Sequence, residues 1–269
     1  MNVIVYLIIF CMGITFGSFF SLAVYRIPLK QDIIHKRSYC PNCGHRLSFW
    51  DTIPVFSYIF LRGKCRYCKN KIKARYIMLE ILSGITFVLF VMSTNLDLFN
   101  LDANKLVYIV IGWLYIAGLF IIAGIDKERI EIKNEALLYI IIVEILYIIY
   151  LYIVEQANIY RYVICLFLML IIIAINNIYF HKKAQNNYML ECLVLLLIML
   201  NFTYEMCTML TLWCSSFAII FSFLFIRIKN RKVKCVKNDN PPKHNLPIGY
   251  YLCVSNICML IAMNFIIFK

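Results

Sequence analysis

Charge is scarce in this chain, and negative charge scarcer still. Only 15% of the 269 residues are charged, with 14 Asp and Glu against 27 Lys and Arg. A soluble globular domain carries about a quarter charged residues and about half apolar ones. Here 63% are hydrophobic and mean hydropathy is +0.79, which excludes an ordinary water-facing fold. No internal repeat or low-complexity tract is present. The first apolar run has no basic stretch ahead of it and no small-residue cleavage site behind it. It therefore reads as a retained span rather than a secretory signal. Charges inside the apolar runs are few and no inverted repeat is detectable, which disfavours a transporter.

What is abundant is apolar sequence in blocks of about 13 to 22 residues, mostly long enough to cross a bilayer as helices. Eight can be drawn: Val3–Val24, Ile77–Met92, Leu106–Gly124, Ala136–Val154, Tyr162–Phe180, Tyr188–Leu200, Cys207–Ile226 and Ile248–Phe268. The pattern predicts an all-α polytopic membrane protein of about eight transmembrane helices. In an eight-span arrangement 24 of the 27 Lys and Arg fall on one side. Positive loops stay cytoplasmic, so both termini are expected outside and the basic loops on the cytoplasmic face. The net charge of +13 then needs no nucleic acid, and the basic face is expected to attract anionic lipid headgroups.

Between the first two spans lies the one polar segment large enough to form a small domain. The expected organisation is a first span at 1–25, a cytoplasmic insert at 26–76 and a helical membrane domain at 77–269. An insert of about fifty residues is too small for a large core and needs a staple. Seven of the 12 cysteines lie in or beside apolar runs and Cys235 stands alone in a basic loop. The other four form Cys40-Pro-Asn-Cys43-Gly44 and Cys65-Arg-Tyr-Cys68. Two such knuckles match a tetrathiolate zinc site, predicting a zinc-ribbon-like insert whose metal is structural, because four thiolates leave no open position for water. Two disulfides, disfavoured on the cytoplasmic side, or unligated thiols are the alternatives. A nucleic-acid-binding ribbon is the competing class. The basic residues that would suggest it, Arg62 to Arg75, are equally explained by membrane topology.

Ionisable groups within membrane segments are functional by default. Asp126 ends the third block, Glu80 lies one turn inside the second, Glu144 in the fourth and Glu191 in the sixth. Asn187 precedes Glu191 by one helical turn on the same face. Two carboxylates sharing a site can divide the roles of acid and base, but spacing alone gives Asp126 no unique partner. The bland readings are a solvated Asp126, a helix-capping Asn187, and Glu80 and Glu191 paired with snorkelling cations.

Several runs resemble bacterial prepilin peptidases, which cleave the leaders of type IV prepilins and related pseudopilins and N-methylate the new terminus. They are Gly17-Ser18-Phe19-Phe20, Tyr25-Arg26-Ile27-Pro28, Tyr39–Gly44, Ile53-Pro54-Val55-Phe56-Ser57-Tyr58, Leu61–Cys68, Arg75-Tyr76 and Glu80. Leu246-Pro247-Ile248-Gly249 is similar to the opening of the family's last span. The resemblance implies Asp126 as the first catalytic aspartate, whereas the isoleucine–proline–aspartate that follows it is replaced by Ile132-Lys133-Asn134. The second catalytic motif, glycine–x–glycine–aspartate–x–lysine, is replaced by Ala184-Gln185-Asn186-Asn187-Tyr188-Met189, so Asn187 stands where the aspartate should be. If cleavage is kept, Glu191 is the candidate carboxylate to take its place beside Asp126. Glu80 matches the glutamate associated with methyl transfer from S-adenosylmethionine. The implied function is a prepilin leader peptidase and methyltransferase. The alternative is an inactive membrane scaffold or assembly protein that binds pilin-like helices.

Overall fold

The structure is a computed structural model that describes residues 2–96, 102–155, 160–175, 188–202, 209–210, 212–217, 220 and 247–267. It falls into two compact units, Met1–Ile121 with Asn264–Lys269, and Ile122–Met263.

The first unit is built on α1 (Asn2–Arg26) and α3 (Arg75–Ser93). They touch through small residues. A Cβ on Gly13 would lie 2.7 Å from Gly84 Cα, and one on Gly17 would lie 2.1 Å from Ser83 Oγ and 2.7 Å from Glu80 Cα. Ser83 Oγ donates to the Gly13 carbonyl at 2.8 Å across the pair. Lipid tails are as apolar as Leu, so close backbone approach takes over from hydrophobic burial in holding membrane helices together. Phe87, also on α3, stacks on Trp113 of α4 (Ala103–Arg129) at 5.3 Å. Between α1 and α3 the insert holds a short α2 (Phe56–Phe60) and 3-10 turns at Ile27–Leu29 and Phe49–Asp51.

The second unit holds the end of α4, α5 (Asn134–Tyr150), a π turn at Leu151–Glu155, α6 (Tyr160–Ile175), α7 (Tyr188–Phe202) and most of α8 (Ile248–Ile267). Its polarity is inverted relative to a soluble protein. Asp126, Glu144, Glu191 and Asn201 are buried, while Ile142, Leu146 and Ile164 are exposed. That pattern suits a hydrocarbon surround, where polar groups must be satisfied internally.

Two expectations are overturned. The helices long and apolar enough to cross a membrane number five among the described residues, not about eight. They are Val3–Leu29, Arg75–Ser93, Ala103–Arg129, Asn134–Val154 and Ile248–Ile267. Among the described residues, the fifth and sixth apolar blocks contribute the shorter apolar helices Tyr162–Ile175 and Leu190–Phe202. At 1.5 Å per residue these reach about 20 Å, short of a hydrocarbon layer about 30 Å thick. An apolar run measures composition, whereas spanning depends on unbroken helix. The seventh block lies largely outside the described residues. With five spans, the placement of both termini on one side no longer follows.

Nor is the insert a zinc ribbon, which is a β motif. No strand occurs among the described residues, only the isolated bridges Tyr39↔Arg46 and Lys64↔Lys71. Each closes a single knuckle. Between the knuckles, Ser48 and Asp51 form a capping box that starts a 3-10 turn, and α2 follows. Helical turns therefore occupy the stretch that a ribbon would give to strands.

Candidate functional sites

In the insert, the two cysteine knuckles have the same backbone. Cys40 N donates to His45 O and Gly44 N to Cys40 O, both at 2.9 Å. In the second knuckle Cys65 N donates to Asn70 O at 2.9 Å and Lys69 N to Cys65 O at 3.0 Å. Gly44 takes φ +70° and Lys69 takes φ +59°, so a lysine occupies the conformation that glycine adopts freely. The four Sγ atoms lie within 4.8 Å of one another, with Cys40 and Cys65 buried. Zn–S bonds of about 2.3 Å in a tetrahedron need sulfurs about 3.8 Å apart; Cys40 and Cys68 are at 3.9 Å. The donor set thus fits a soft tetrahedral metal. Burial disfavours the Cys40 thiolate, yet the backbone N–H groups of Cys43 and Asn42 outweigh it and bring its pKa down to about 7. Asp51 braces the second knuckle through Arg66 at 2.8 Å and the Tyr67 hydroxyl at 3.1 Å.

A cavity of about 520 Å³ in the first unit is lined by side chains that include Ser18, Tyr25, Tyr58, Tyr76 and Glu80. Glu80 is buried, and one carboxylate oxygen accepts the Val55 N–H at 2.7 Å. Val55 sits at φ +62°, ψ −52°, and Phe56 N reaches back to Pro54 O at 2.6 Å. This is a γ-turn of the rare positive-φ kind at a β-branched residue, a conformation that persists only when its surroundings fix it. Sequence reasoning placed Glu80 but missed the turn it clamps.

In the second unit, Asp126 is fully buried. Its Oδ2 accepts the Tyr250 N–H at 2.8 Å and the Tyr188 hydroxyl at 3.1 Å, and Gly249 N donates to the same hydroxyl at 3.2 Å. Asp126 therefore caps the N-terminus of α8, where a carboxylate is favoured. Gly249 permits the approach: a Cβ there would lie 3.1 Å from Ile132 Cδ1 and 3.2 Å from Asp126 Oδ2. Glu191, also buried, accepts the Ile132 N–H at 3.3 Å and is near enough to Asp126 for their charges to repel. Asp126 Oδ1 and Glu191 Oε1 have no hydrogen-bond partner among the described residues. Asn187 lies outside those residues. Tyr188 was missed by sequence reasoning. Its signal was its position, one residue after Asn187 and three before Glu191 on the face that meets α4.

The second unit also buries Glu144 against Asn201, whose amide donates to it and to the Tyr162 carbonyl.

Residues 11–94 match the family profile described as the Bacterial Peptidase A24 N-terminal domain. The chain is similar to a prepilin leader peptidase/N-methyltransferase of Myxococcus xanthus (strain DK1622), 42% identical over 79 residues, 29% of this chain and 24% of the relative. A protein of the same name from Vibrio cholerae is 39% identical over 101 residues, covering 34% and 40%. One from Bacillus subtilis (strain 168) is 31% identical over 132 residues, covering 49% and 50%. The match to these curated relatives thus spans between about a quarter and half of their length. No solved structure matches the chain. Residues 11–94, which carry the four cysteines and Glu80, are thus similar to the N-terminal domain of prepilin leader peptidase/N-methyltransferases.

Proposed function

We infer that this chain processes prepilin-like substrates in the bacterial cytoplasmic membrane, with its basic insert on the cytoplasmic face and Asp126 and Glu191 as the hydrolytic pair. The observation that carries this reading is that both carboxylates are buried in one unit and each keeps one oxygen without a hydrogen bond among the described residues. In this scheme one carboxylate takes a proton from water as the oxygen attacks the scissile carbonyl. The other, protonated, donates to the carbonyl oxygen. The tetrahedral adduct then collapses to a carboxylic acid and the new amine, which takes up a proton.

The insert and Glu80 serve the second half of the proposal, N-methylation of that amine. Cys40, Cys43, Cys65 and Cys68 hold a structural zinc that folds the insert around the cavity. S-adenosylmethionine supplies an electrophilic methyl group on a sulfonium. The cavity falls within the usual range of small-molecule sites, and its buried carboxylate and tyrosine faces suit a cation. The methylation half thus draws on the insert at 26–76 and on Glu80 just beyond it, and the cleavage half on Asp126 and Glu191 further along the membrane domain at 77–269.

A second reading, a scaffold that binds pilin-like helices without cutting them, is favoured by one observation. Asp126 and Glu191 each cap a backbone N–H, a structural duty sufficient to explain them.

The deciding experiment is cleavage and methylation of a prepilin by the purified full chain and by Asp126→Asn, Glu191→Gln, Asn187→Ala and Glu80→Gln. The pair predicts a loss of at least about 1000-fold in cleavage for Asp126→Asn and Glu191→Gln, little change for Asn187→Ala, and loss of methylation alone for Glu80→Gln. A folded wild type that binds prepilin without cutting it establishes the scaffold.

A further inference from the structure

The insert carries a second cavity, of about 450 Å³, lined by His35, Lys36, Arg37, Tyr39, Gly44 and Arg46. No acidic side chain lines it. Asp32, the nearest acid in sequence, is already engaged with His35 Nδ1 at 3.1 Å and with the Ile34 and His35 N–H groups. Among the described residues no carboxylate pairs with Lys36, Arg37 or Arg46. Three cations therefore converge on one concavity without a counter-charge, an arrangement that raises the local concentration of anions.

The convergence is built by the fold. Arg26, the last residue of α1, is 2% exposed and its guanidinium donates to the carbonyls of Asp32, Lys36 and Arg37 at 2.8 to 3.0 Å. It also lies over the Tyr39 ring, 5.7 Å from the centroid. The loop that carries Lys36 and Arg37 is thus pinned from beneath. Arg46 arrives from the far side of the first cysteine knuckle through its bridge to Tyr39, reinforced by Leu47 N donating to Ser38 O at 2.9 Å. A solvated run of charge has no need of either device. At Gly44 the wall is open, since a Cβ there would meet nothing within 4 Å.

The same anchor sets the depth of the site. Arg26 ends a helix long and apolar enough to span a membrane and touches the cavity loop directly, which brings the three cations within reach of lipid headgroups. Independently, the insert exposes Phe49, Trp50 and Phe60 at 77%, 69% and 81%. Aromatic side chains of this kind rest at the membrane–water interface.

We propose that Lys36, Arg37 and Arg46 form a binding site for the phosphate group of an anionic membrane lipid. Arg presents a planar fork to phosphate oxygens and Lys a point charge, so the trio suits a phosphodiester better than a carboxylate. The site does not depend on whether the chain cleaves or only binds its substrate.

The test is native mass spectrometry of the full chain released from neutral detergent, titrated with phosphatidylglycerol, phosphatidylcholine or inorganic phosphate. A Lys36→Gln/Arg37→Gln/Arg46→Gln triple variant is compared with Lys69→Gln/Lys71→Gln/Lys73→Gln, which removes the same charge from elsewhere in the insert. Circular dichroism confirms that both are folded, and the three single variants stand in if the first triple is not. At about a factor of five per lost cation, phosphatidylglycerol affinity should fall roughly 100-fold in the first triple. It should change less than about threefold in the second, with phosphatidylcholine weak throughout. Equal losses in both triples, or equal binding of the two lipids by wild type, overturn the site. Inorganic phosphate binding as tightly as phosphatidylglycerol overturns the lipid as its source and assigns the cavity to free phosphate.

Discussion

The cysteine insert and the carboxylate cluster are organised in opposite ways. The insert concentrates its chemistry in two short runs whose backbone repeats almost bond for bond, and four sulfurs converge there with little help from the rest of the chain. The carboxylate cluster draws on the end of α4, the turn at Ile132, the start of α7 and the start of α8, and each group is held by a partner distant in sequence. A local device tolerates change elsewhere. A dispersed one registers every shift in the helices that compose it.

The largest expected effect sharpens the local half. Stripping metal with a chelator, or Cys40→Ser, should unfold residues 30–73 and leave the spans helical, because structural zinc contributes about 10 kcal/mol or more to folding such sites. Limited proteolysis should cut in the insert while circular dichroism stays nearly constant. Collapse of the whole helical signal would show that the spans lean on the insert, and the comparison would break.

A second test asks how far the α1–α3 contact fixes Glu80. Gly17→Val places carbons where Ser83 Oγ and the Glu80 backbone already sit. Overpacking of this kind costs about 3 kcal/mol and should move Glu80 off the Val55 N–H, so thermal stability and the methyl transfer proposed for Glu80 should fall together. Gly249→Ala is the milder counterpart in the other unit. Its Cβ meets Ile132 Cδ1 and the Asp126 carboxylate at 3.1 to 3.3 Å, so about 1–2 kcal/mol is expected, with cleavage affected before stability. Loss of cleavage with an unchanged melting temperature would mark the Asp126 environment as tuned for chemistry.

The four cysteines were legible because metal ligation demands a fixed spacing in the chain itself, and the structure brings those sulfurs together as the spacing requires. The bracing by Arg66 and Asp51 was not, since those two are fifteen residues apart in sequence. The all-α class followed from the apolar runs. Their number did not convert to a span count, because among the described residues the runs beginning at Tyr162 and Tyr188 give only the shorter helices Tyr162–Ile175 and Leu190–Phe202. The ribbon expectation failed for a local reason: Ser48 and Asp51 start a helical turn where strand pairing was assumed. Asp126 was visible as an acid at a span end. Its role as cap to α8 was hidden, for it depends on Gly249 and Tyr188, which lie 123 and 62 residues further along the chain.

The smallest effect tests the knuckle symmetry itself. Gly44 and Lys69 hold equivalent left-handed positions, but only Gly44 does so without a Cβ. Gly44→Ala meets no neighbour within 4 Å, so its whole cost is backbone strain, about 1 kcal/mol. Lys69→Gly relieves a similar strain and gives back about 0.5–1 kcal/mol through the freedom glycine gains when unfolded. It should therefore leave insert stability nearly unchanged. Zinc-competition titrations on the two variants read the difference directly, as roughly a fivefold weakening for Gly44→Ala and less than about twofold for Lys69→Gly. Equal weakening would mean that the Lys69 side chain contributes to the second knuckle beyond its backbone. The two knuckles would then share a shape while being held by different forces.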